Sequence, residues 1–256
     1  MPFELVNNFT SHIFKALYAS QNDIGNLAFS GISLYVLLAS ITVGLGGRSY
    51  DQVAHLLKED FDELHSLGNW LYSDTAKKWG DMTAIARLSS GFESVIFYPC
   101  NLLDHFQRIS QLIFDQNLRK IDISNPRMWA SEINHWIRWR WVGSDSKIFD
   151  KSMLTNNKLI FIYVVSLIAY WKNPFDPVNT EHDIFYDEQG HARNVEMMNQ
   201  NTYNYIYEKS DDNFRMLFKE LERPDLYSVI VLPKEMYTIK DVLKILKVFC
   251  FIFTDL

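Results

Sequence analysis

The side chains best suited to chemistry, seven histidines and two cysteines, are scattered along this chain of 256 residues. Cys100 and Cys250 form no CxxC pair and lie next to proline or phenylalanine, which is typical of inert structural thiols. His182 and His191 are close in sequence, but the polar segment between them favours a solvated hairpin over a metal site. No nucleophile, base and oxyanion donor occur together, so we predict no enzyme activity and no metal or other cofactor.

Two other patterns invite a binding role, and each has a simpler structural interpretation. Residues 44–47 are glycine-rich, but they lack the spacing of a phosphate-binding loop and follow an apolar helix, which favours a helix-ending turn. The second pattern is a set of tryptophans and arginines in one segment: Trp129, Trp136, Arg138, Trp139, Arg140 and Trp141. Such a set can bind cations, but we interpret it as the aromatic stripe of a helix that packs on a sheet.

The composition is that of a globular protein, with 48% hydrophobic and 22% charged residues. A net charge of -6 argues against a nucleic-acid partner, because phosphates require a basic protein surface. The two most apolar stretches, residues 159–171 and 242–253, are too short or too charged for a membrane span, which needs about 18 to 20 apolar residues. We therefore predict neither a nucleic-acid partner nor a membrane span.

Apolar residues at helical spacing predict helices mainly in the first half of the chain. The predicted helices cover residues 9–17, 32–43, 51–57 and 102–114, and a further helix starts near Pro126. Ser30 or Ser33 is expected to cap the second helix, and Ser49 with Gln52 has the spacing of a capping box for the third.

Extended segments dominate the second half. Residues 83–98 are predicted to be extended, and the apolar, β-branched segment 159–171 to be a central strand covered on both faces. Short alternating runs from Phe185 onward predict an antiparallel sheet. Helices followed by strands predict an α+β architecture, in one domain that covers residues 1–256.

The same segments carry motifs that resemble the serpin family. The stretch "NLAFSGISLYVLLASITVGLGGRSYDQV" is similar to the serpin signature, and "INHWI", "KIFD", "WKNPFDPVNTEHDIF", "VEMMNQ" and "YSVIVLP" follow in the family's order. The matching residues include Asn26, Phe29, Ser30, Ser33, Gly44, Gly47, Ile133, Asn134, Lys147, Trp171, Phe175, Thr180, Met197 and Met198. By this ordered set the chain is identified as a member of the serpin family.

The resemblance implies a serpin-like α+β fold. N-terminal helices are expected to pack on a large mixed β-sheet, followed by part of a second antiparallel sheet. The matching stops near Pro233, and the final "CFIFTDL" resembles nothing that follows in the family. The chain is therefore expected to be a C-terminally truncated member, a single domain that is incomplete at its C-terminus and lacks the reactive loop.

In function, the resemblance implies inhibition of endopeptidases. In serpins a protease cleaves an exposed loop, which then inserts as a new strand into the main sheet, beside the strand resembled by residues 159–171. The implied partner of a full-length relative is a serine or cysteine protease. Without the loop, this chain is expected to be non-inhibitory as written. Two alternatives stay open: a non-inhibitory binding protein on a serpin scaffold, and an inactive partial isoform or gene-prediction fragment.

The resemblance also places a sheet-opening region, the shutter and breach, at Ser30, Ser33, Tyr163 and Trp171. Tyr163 stands where the family has an asparagine, and Gly31 stands where it has a proline, which is expected to loosen a helix start. The other matches are expected to be structural, with the two methionines in the core: Asn26, Phe29, Gly44, Gly47, Ile133, Asn134, Phe175, Thr180, Met197 and Met198.

Partners and location follow from the same comparison of residues. Some serpins bind glycosaminoglycans through a basic helix, but only Lys77 and Lys78 stand in the corresponding region, so this binding is not predicted. The resemblance implies an extracellular protein. The chain starts without a signal-peptide pattern, which leaves a cytoplasmic location as the alternative. Uncovered apolar segments such as "YSVIVL" predict poor solubility without a partner chain.

Overall fold

The computed structural model describes residues 2–22, 25–122, 124–140, 148–153, 159–187, 189–224 and 226–245. They form two compact units: the first comprises Met1–Ile13 and Asn26–Ile168, and the second comprises Phe14–Gly25 and Ala169–Leu256. The predictions for Trp141, Lys147, Cys250 and residues 246–256 lie outside the described residues. In the described part of the chain, no helix has the length and apolar character that crossing a membrane requires.

Helices come first along the chain and strands later. The helices are α1 (Pro2–Ser20), α2 (Gly31–Thr42), α3 (Gly47–Leu57), α4 (Asp62–His65), α5 (Asp74–Ser89), α6 (Asp104–Leu112), α7 (Pro126–Arg140) and α8 (Ile239–Ile245). The strands are β1 (Gly91–Tyr98), β2 (Asn117–Lys120), β3 (Ile160–Ser166), β4 (Thr180–Tyr186), β5 (Ala192–Met198), β6 (Tyr205–Glu208), β7 (Phe214–Glu220) and β8 (Tyr227–Pro233). The predicted α+β order is confirmed.

The start of α3 differs from the prediction. The helix begins at Gly47, so Ser49 lies inside its first turn and does not cap it. Gly46 is the N-cap residue, and no side-chain hydrogen bond caps this helix. The Tyr50 hydroxyl accepts a hydrogen bond from the Phe61 N–H at 3.1 Å and bonds the Asp62 carboxylate at 3.0 Å. These bonds tie α3 to the start of α4, and the capping-box prediction is wrong because Ser49 lies within the helix.

The predicted extended segment 83–98 is helical in its first part. Helix α5 continues to Ser89, and the strand β1 begins only at Gly91. Ala76, Trp79, Met82 and Ala86 are buried at intervals of three to four residues, which is the spacing of a helix face. Burial of this stripe outweighs the local preference for extended backbone.

The first unit contains a mixed sheet in the order β2-β1-β3. Strand β1 pairs in parallel with β2 and antiparallel with β3, so the predicted mixed sheet is confirmed, with three strands among the described residues. Alternate residues of β1 face opposite sides. Phe92 and Ile96 enter the core formed by the helices that surround α2 and α5, whereas Val95 and Phe97 pack with α7.

Strand β3 lies at the edge of this sheet. The prediction that both faces are covered holds only in part. Phe161 and Tyr163 pack on the helical core and Ile162 and Val164 pack on the α7 side, but all four are half-buried. The strand ends at Ser166, and Leu167 and Ile168 of the predicted segment are 70% and 80% exposed because they lie beyond the pairing with β1. The predicted central position is wrong within the described residues, because β1 occupies it and β3 has β1 as its one partner.

The second unit contains the hairpin β4-β5 and the antiparallel sheet β6-β7-β8, as predicted for strands after Phe185. The prediction that Met197 and Met198 are core residues is wrong. Met197 is half-buried and Met198 is 57% exposed, because successive residues of a strand point to opposite faces. Ile230 and Leu232 of β8 are 47% and 48% exposed, which leaves part of this apolar strand open to solvent.

Trp79 lies at the centre of the helical core. Its ring is fully buried and stacks on Phe61 at 5.3 Å, with Tyr35 at 5.4 Å and Phe114 at 6.1 Å between ring centroids. An aromatic ring surrounded by other rings buries a large apolar area. If it is removed, the neighbouring side chains cannot move far enough to fill the space it leaves.

We therefore expect Trp79→Ala to lower the free energy of unfolding by about 3–5 kcal/mol, since it leaves a cavity among these rings. Urea denaturation followed by circular dichroism measures the change. Tyr72→Ala is the matched control, because Tyr72 is 86% exposed and its loss is expected to cost under about 0.5 kcal/mol. Equal effects of the two substitutions would contradict the assignment of Trp79 to the core.

Candidate functional site

The predicted sheet-opening residues begin with two serines at the start of α2. Ser30 precedes the helix in an extended conformation, and its Oγ accepts a hydrogen bond from the Ser33 N–H at 3.3 Å. The Ser30 hydroxyl also donates to Ser33 Oγ at 2.9 Å. Ser30 is thus the N-cap that the sequence predicted.

Tyr163 enters a different set of contacts, which we call the Tyr163 cluster and define as Ser40, Ser94, Gln116 and Tyr163. The Gln116 amide donates to the Tyr163 hydroxyl and to Ser40 Oγ, both at 3.0 Å. Ser94 is the cross-strand neighbour of Tyr163 in the β1–β3 register, and its hydroxyl donates to the Asp115 carbonyl at 3.1 Å. The cluster joins β3 to α2 through hydrogen bonds inside the core.

The structure therefore separates the predicted shutter residues into two groups. Ser30 and Ser33 bond each other, whereas no hydrogen bond between described residues links either serine to Tyr163. Ser40 lies seven residues after Ser33, two helical turns further along the same face of α2. The long tyrosine side chain reaches this second position, which accounts for its different partners.

Burial makes the Tyr163 phenol hard to ionise. Desolvation raises its pKa to about 12, and the hydrogen bonds from Ser40, Gln116 and Ser94 offset only part of this effect. The ring also stacks on Phe92, with 5.5 Å between centroids. A neutral, stacked and hydrogen-bonded phenol can hold β3 against the helices, and it stays protonated near neutral pH.

Trp171 is the centre of a second cluster, in the second unit. We call it the Lys219 cage and define it as Trp171, Phe175, Gln200 and Lys219. The Lys219 ammonium lies 5.3 Å from the Trp171 ring centroid and 4.8 Å from that of Phe175, and it donates to Gln200 Oε1. Lys219 is 3% exposed, so the ring faces and the amide oxygen replace its water. Trp171 also forms a β-bridge with Leu221.

Helix α7 carries the predicted aromatic stripe on its buried face. Ile133 and Trp136 pack on the sheet, and Trp136 contacts Phe97 edge to face at 6.4 Å. The interpretation as a packing stripe is confirmed for Trp136 and is wrong for Trp139, which is 77% exposed. Trp139 lies in the last turn of α7, where its side chain stays in solvent.

Asn134 fixes the chain that follows α7. Its side-chain amide donates to the Phe149 carbonyl at 2.7 Å and accepts from the Phe149 N–H at 2.8 Å. It also donates to the Ala130 carbonyl at 2.8 Å. This paired contact explains why an asparagine stands on an otherwise apolar helix face.

The family-type glycines have steric roles. A Cβ on Gly44 would lie 2.8 Å from the Phe106 ring, and Gly47 has a φ of +56°, which favours glycine. A Cβ on Gly31 would lie 2.0 Å from Thr10 Oγ1. Gly31 therefore makes room for the Thr10 side chain of α1, and its expected loosening of the helix start stays a prediction.

The remaining family-type residues lie apart from both clusters. Asn26 is exposed and Phe29 is half-buried in the segment before α2. Thr180 is half-buried at the start of β4, opposite Met198 of β5. Among the described residues, no group of three histidine, cysteine or acidic side chains is placed to hold a metal ion.

Sequence reasoning missed Ser40, Ser94, Gln116, Gln200 and Lys219. Ser94 and Lys219 gave a signal, since each is a polar residue within a strand whose neighbours are mostly apolar. Gln116 gave none, because its burial depends on the packing of segments far apart in sequence. The Gln116 amide connects the Tyr163 cluster to α2, and the Gln200 amide connects the Lys219 cage to the backbone.

Comparisons with known proteins agree on one family. The sequence model of the family described as Serpin (serine protease inhibitor) matches residues 4–249. Antithrombin-III from Mus musculus is 25% identical over 242 residues, which cover 89% of this chain and 50% of that protein. The chain thus spans about half the length of the curated relatives it matches.

Solved structures show the same fold. The crystal structure of mouse protein-Z dependent protease inhibitor has a TM-score of 0.80 at 22% identity, covering 96% of this chain and 66% of that chain. Human thyroxine-binding globulin has a TM-score of 0.78 at 17% identity, with the same coverage of 96% and 66%. The helices and sheets described above are therefore those of a serpin-like fold.

We expect Tyr163→Phe to lower the free energy of unfolding at pH 8 by about 1 kcal/mol, because Gln116 loses one acceptor. The unfolded phenol ionises near its ordinary pKa of about 10, whereas the folded one keeps its proton up to about 12. The stability that this difference supplies is complete below pH 10 and is lost as the pH rises from about 10 to about 12. The phenylalanine variant is expected to lose less stability over that range.

Urea denaturation of both proteins at pH 8 and pH 11 measures these changes. Burial also raises the pKa of Tyr35, but this residue is present in both proteins, so its contribution cancels in the comparison. Tyr186→Phe is the control, because Tyr186 is 64% exposed. Parallel pH dependence in wild type and Tyr163→Phe would contradict the buried, neutral phenol.

A double-mutant cycle tests the Lys219 cage. Trp171→Leu and Lys219→Met remove the ring face and the charge while keeping apolar volume, and we expect a coupling of about 0.5–2 kcal/mol between them. Urea denaturation of the four proteins measures it. Trp171→Leu combined with Arg215→Met is the control cycle, because Arg215 is exposed on the same strand. A coupling no larger than in the control cycle would rule out the cation–π contact.

Proposed function

Because the chain belongs to the serpin family, as the match over residues 4–249 shows, we propose that it forms the scaffold portion of a serine endopeptidase inhibitor. In this proposal, sheet β2-β1-β3 receives an added strand along the outer edge of β3. The proposed partner is a serine protease, with a cysteine protease as the less direct choice. The proposed location is extracellular, with the cytoplasm as the alternative.

The observation that carries the proposal is the edge position of β3. One side of β3 pairs with β1 over its full length, and no described residue pairs with the other side. An edge strand presents a row of backbone N–H and C=O groups that a further strand can satisfy. Side chains on both faces of β3 are half-buried against the helical core and the α7 side, so an added strand would extend a partly covered sheet layer.

A second candidate function is that of a non-inhibitory binding protein on the same scaffold. The relative of known structure named thyroxine-binding globulin shares this fold. In this chain, Tyr163 supports the candidate, since its hydrogen bonds and its stacking on Phe92 fasten β3 to the helical core. A strand fastened in this way resists the sheet opening that loop insertion needs.

We further propose that the 256 residues do not inhibit a protease by themselves. Support comes from the length comparison, since the chain spans 50% of mouse antithrombin-III. Inhibition by strand insertion requires a cleaved segment that remains tethered to the protease, and without insertion the acyl-enzyme is hydrolysed normally. The scaffold alone is then expected to behave as a substrate or a bystander.

Incubation with trypsin, chymotrypsin, elastase and papain tests this expectation. We expect proteolytic fragments and no SDS-resistant complex on gels, with full protease activity recovered. A full-length mouse antithrombin-III sample with its cognate protease is the positive control. A stable higher-mass complex with the 256-residue chain would overturn the proposal that this portion is inactive alone.

Hydrogen exchange tests the β3 edge separately. We expect the amides of β3 that face away from β1 to exchange at least tenfold faster than those of β1, because they lack a backbone partner. Mass spectrometry of peptic fragments measures both strands in one sample. Equal protection of β1 and β3 would show that the outer edge is already occupied, which would contradict strand addition at that position.

A further inference from the structure

The outward side of α7 carries a groove that the proposed function does not use. It has a volume of about 710 Å³ and runs between α7 and the β2 residue Arg119. We call it the α7 groove and define it by six of its lining residues: Arg119, Glu132, His135, Arg138, Trp139 and Arg140. The groove lies entirely in the first unit.

The α7 groove is basic although the whole chain carries a net charge of -6. Three guanidinium groups line it, against the single carboxylate of Glu132. No ion pair between described residues holds Arg119 or Arg138. Arg140 Nε lies 3.7 Å from the Glu93 carboxylate without a hydrogen bond, and its guanidinium rests on the Trp136 ring at 4.3 Å. A local excess of cations on an acidic protein selects anionic partners.

Trp139 supplies an apolar surface within this basic groove. Its side chain is 77% exposed, and it shares one outward helix face with His135, four residues earlier. At this exposure the indole contributes little to the packing of α7 on the sheet, and most of its apolar surface is open to a partner. Tryptophan and arginine are also the residue types most enriched among the dominant contacts of protein interfaces.

We propose that the α7 groove binds an acidic segment of a partner protein. Carboxylates of that segment pair with the guanidiniums of Arg119 and Arg138, whose planar donors match a carboxylate with two parallel hydrogen bonds. An apolar or aromatic side chain of the segment covers Trp139. This interaction is independent of the protease inhibition proposed above, because the groove lies between α7 and Arg119 of β2 and not at the outer edge of β3.

A peptide fits these observations better than the other anions. A sulfated polysaccharide or a free phosphate supplies charge but little apolar surface for Trp139. The groove is an open surface along a helix, whereas pockets for small ligands enclose most of the ligand. An acidic peptide with an apolar side chain supplies both kinds of contact along the length of the groove.

Fluorescence anisotropy with a labelled octapeptide tests the proposal. The probe is Glu-Glu-Phe-Glu-Glu-Phe-Glu-Glu, added to the 256-residue protein at 50 mM and 150 mM salt. We expect saturable binding that weakens at the higher salt, because the charges are exposed. Arg119→Glu with Arg138→Glu is expected to weaken binding at least tenfold. Trp139→Ala is expected to weaken it several-fold with an unchanged salt dependence.

Matched variants and peptides separate this site from general charge attraction. Arg48→Glu with Lys77→Glu changes the net charge by the same amount at exposed positions away from the groove, and it is expected to leave binding within twofold. Tyr203→Ala is the control for Trp139→Ala, because Tyr203 is an exposed aromatic residue outside the groove. The same octapeptide with glutamine in place of glutamate is expected not to bind. Circular dichroism confirms that each variant is folded.

Four outcomes overturn the proposal. The first is an effect of the control charge reversal equal to that of the groove reversal, and the second is binding of the glutamine peptide. The third is the absence of saturable binding of the acidic peptide at either salt concentration. The fourth is displacement of the peptide by a heparin oligosaccharide or ATP at a lower concentration than by unlabelled peptide. The last outcome assigns the groove to a polyanion or nucleotide instead. None of these outcomes bears on the protease assay, so the two proposals fail separately.

Discussion

The one-sided pairing of β3 is the constraint on which the first unit depends. Among the described residues its backbone is joined to β1 alone, so side chains must supply the rest of its attachment. They do so on both faces, because alternate residues enter the helical core and the cluster under α7. The strand is thereby firmly placed while one row of its hydrogen-bonding groups stays available. The free edge is what an added strand requires, whereas the fixed faces oppose movement of β3 away from the helices.

The two buried polar clusters differ in how completely their glutamine amides are hydrogen-bonded. In the Lys219 cage, the Gln200 amide accepts from Lys219 and donates to the carbonyls of Asn173 and Pro174, so both of its ends are bonded. In the Tyr163 cluster, the Gln116 amide donates twice, but its oxygen has no partner among the described residues. A half-satisfied network is less stable than a complete one. The Tyr163 cluster, which joins β3 to α2, is therefore the less stable of the two clusters.

Local patterns in the sequence were sufficient for most of the elements and for the family, but not for the positions of the strands in their sheets. Helix α2, its Ser30 cap and the start of α7 at Pro126 follow from capping chemistry and apolar spacing, which act within one segment. The edge position of β3 depends on which segments pair, and this is not encoded in the strand itself. The partners of Tyr163 were unpredictable for the same reason, since Ser40 and Gln116 come from separate segments.

The contact between Thr10 and Gly31 has a consequence for substitutions at either position. The side-chain space that a proline would fill at the start of α2 is occupied here by a threonine of α1, so these two positions share one volume between them. A change at either position alone leaves a steric overlap or a void. A side chain at position 31 therefore requires a smaller residue at position 10, so the effects of substitutions at the two positions on stability are coupled.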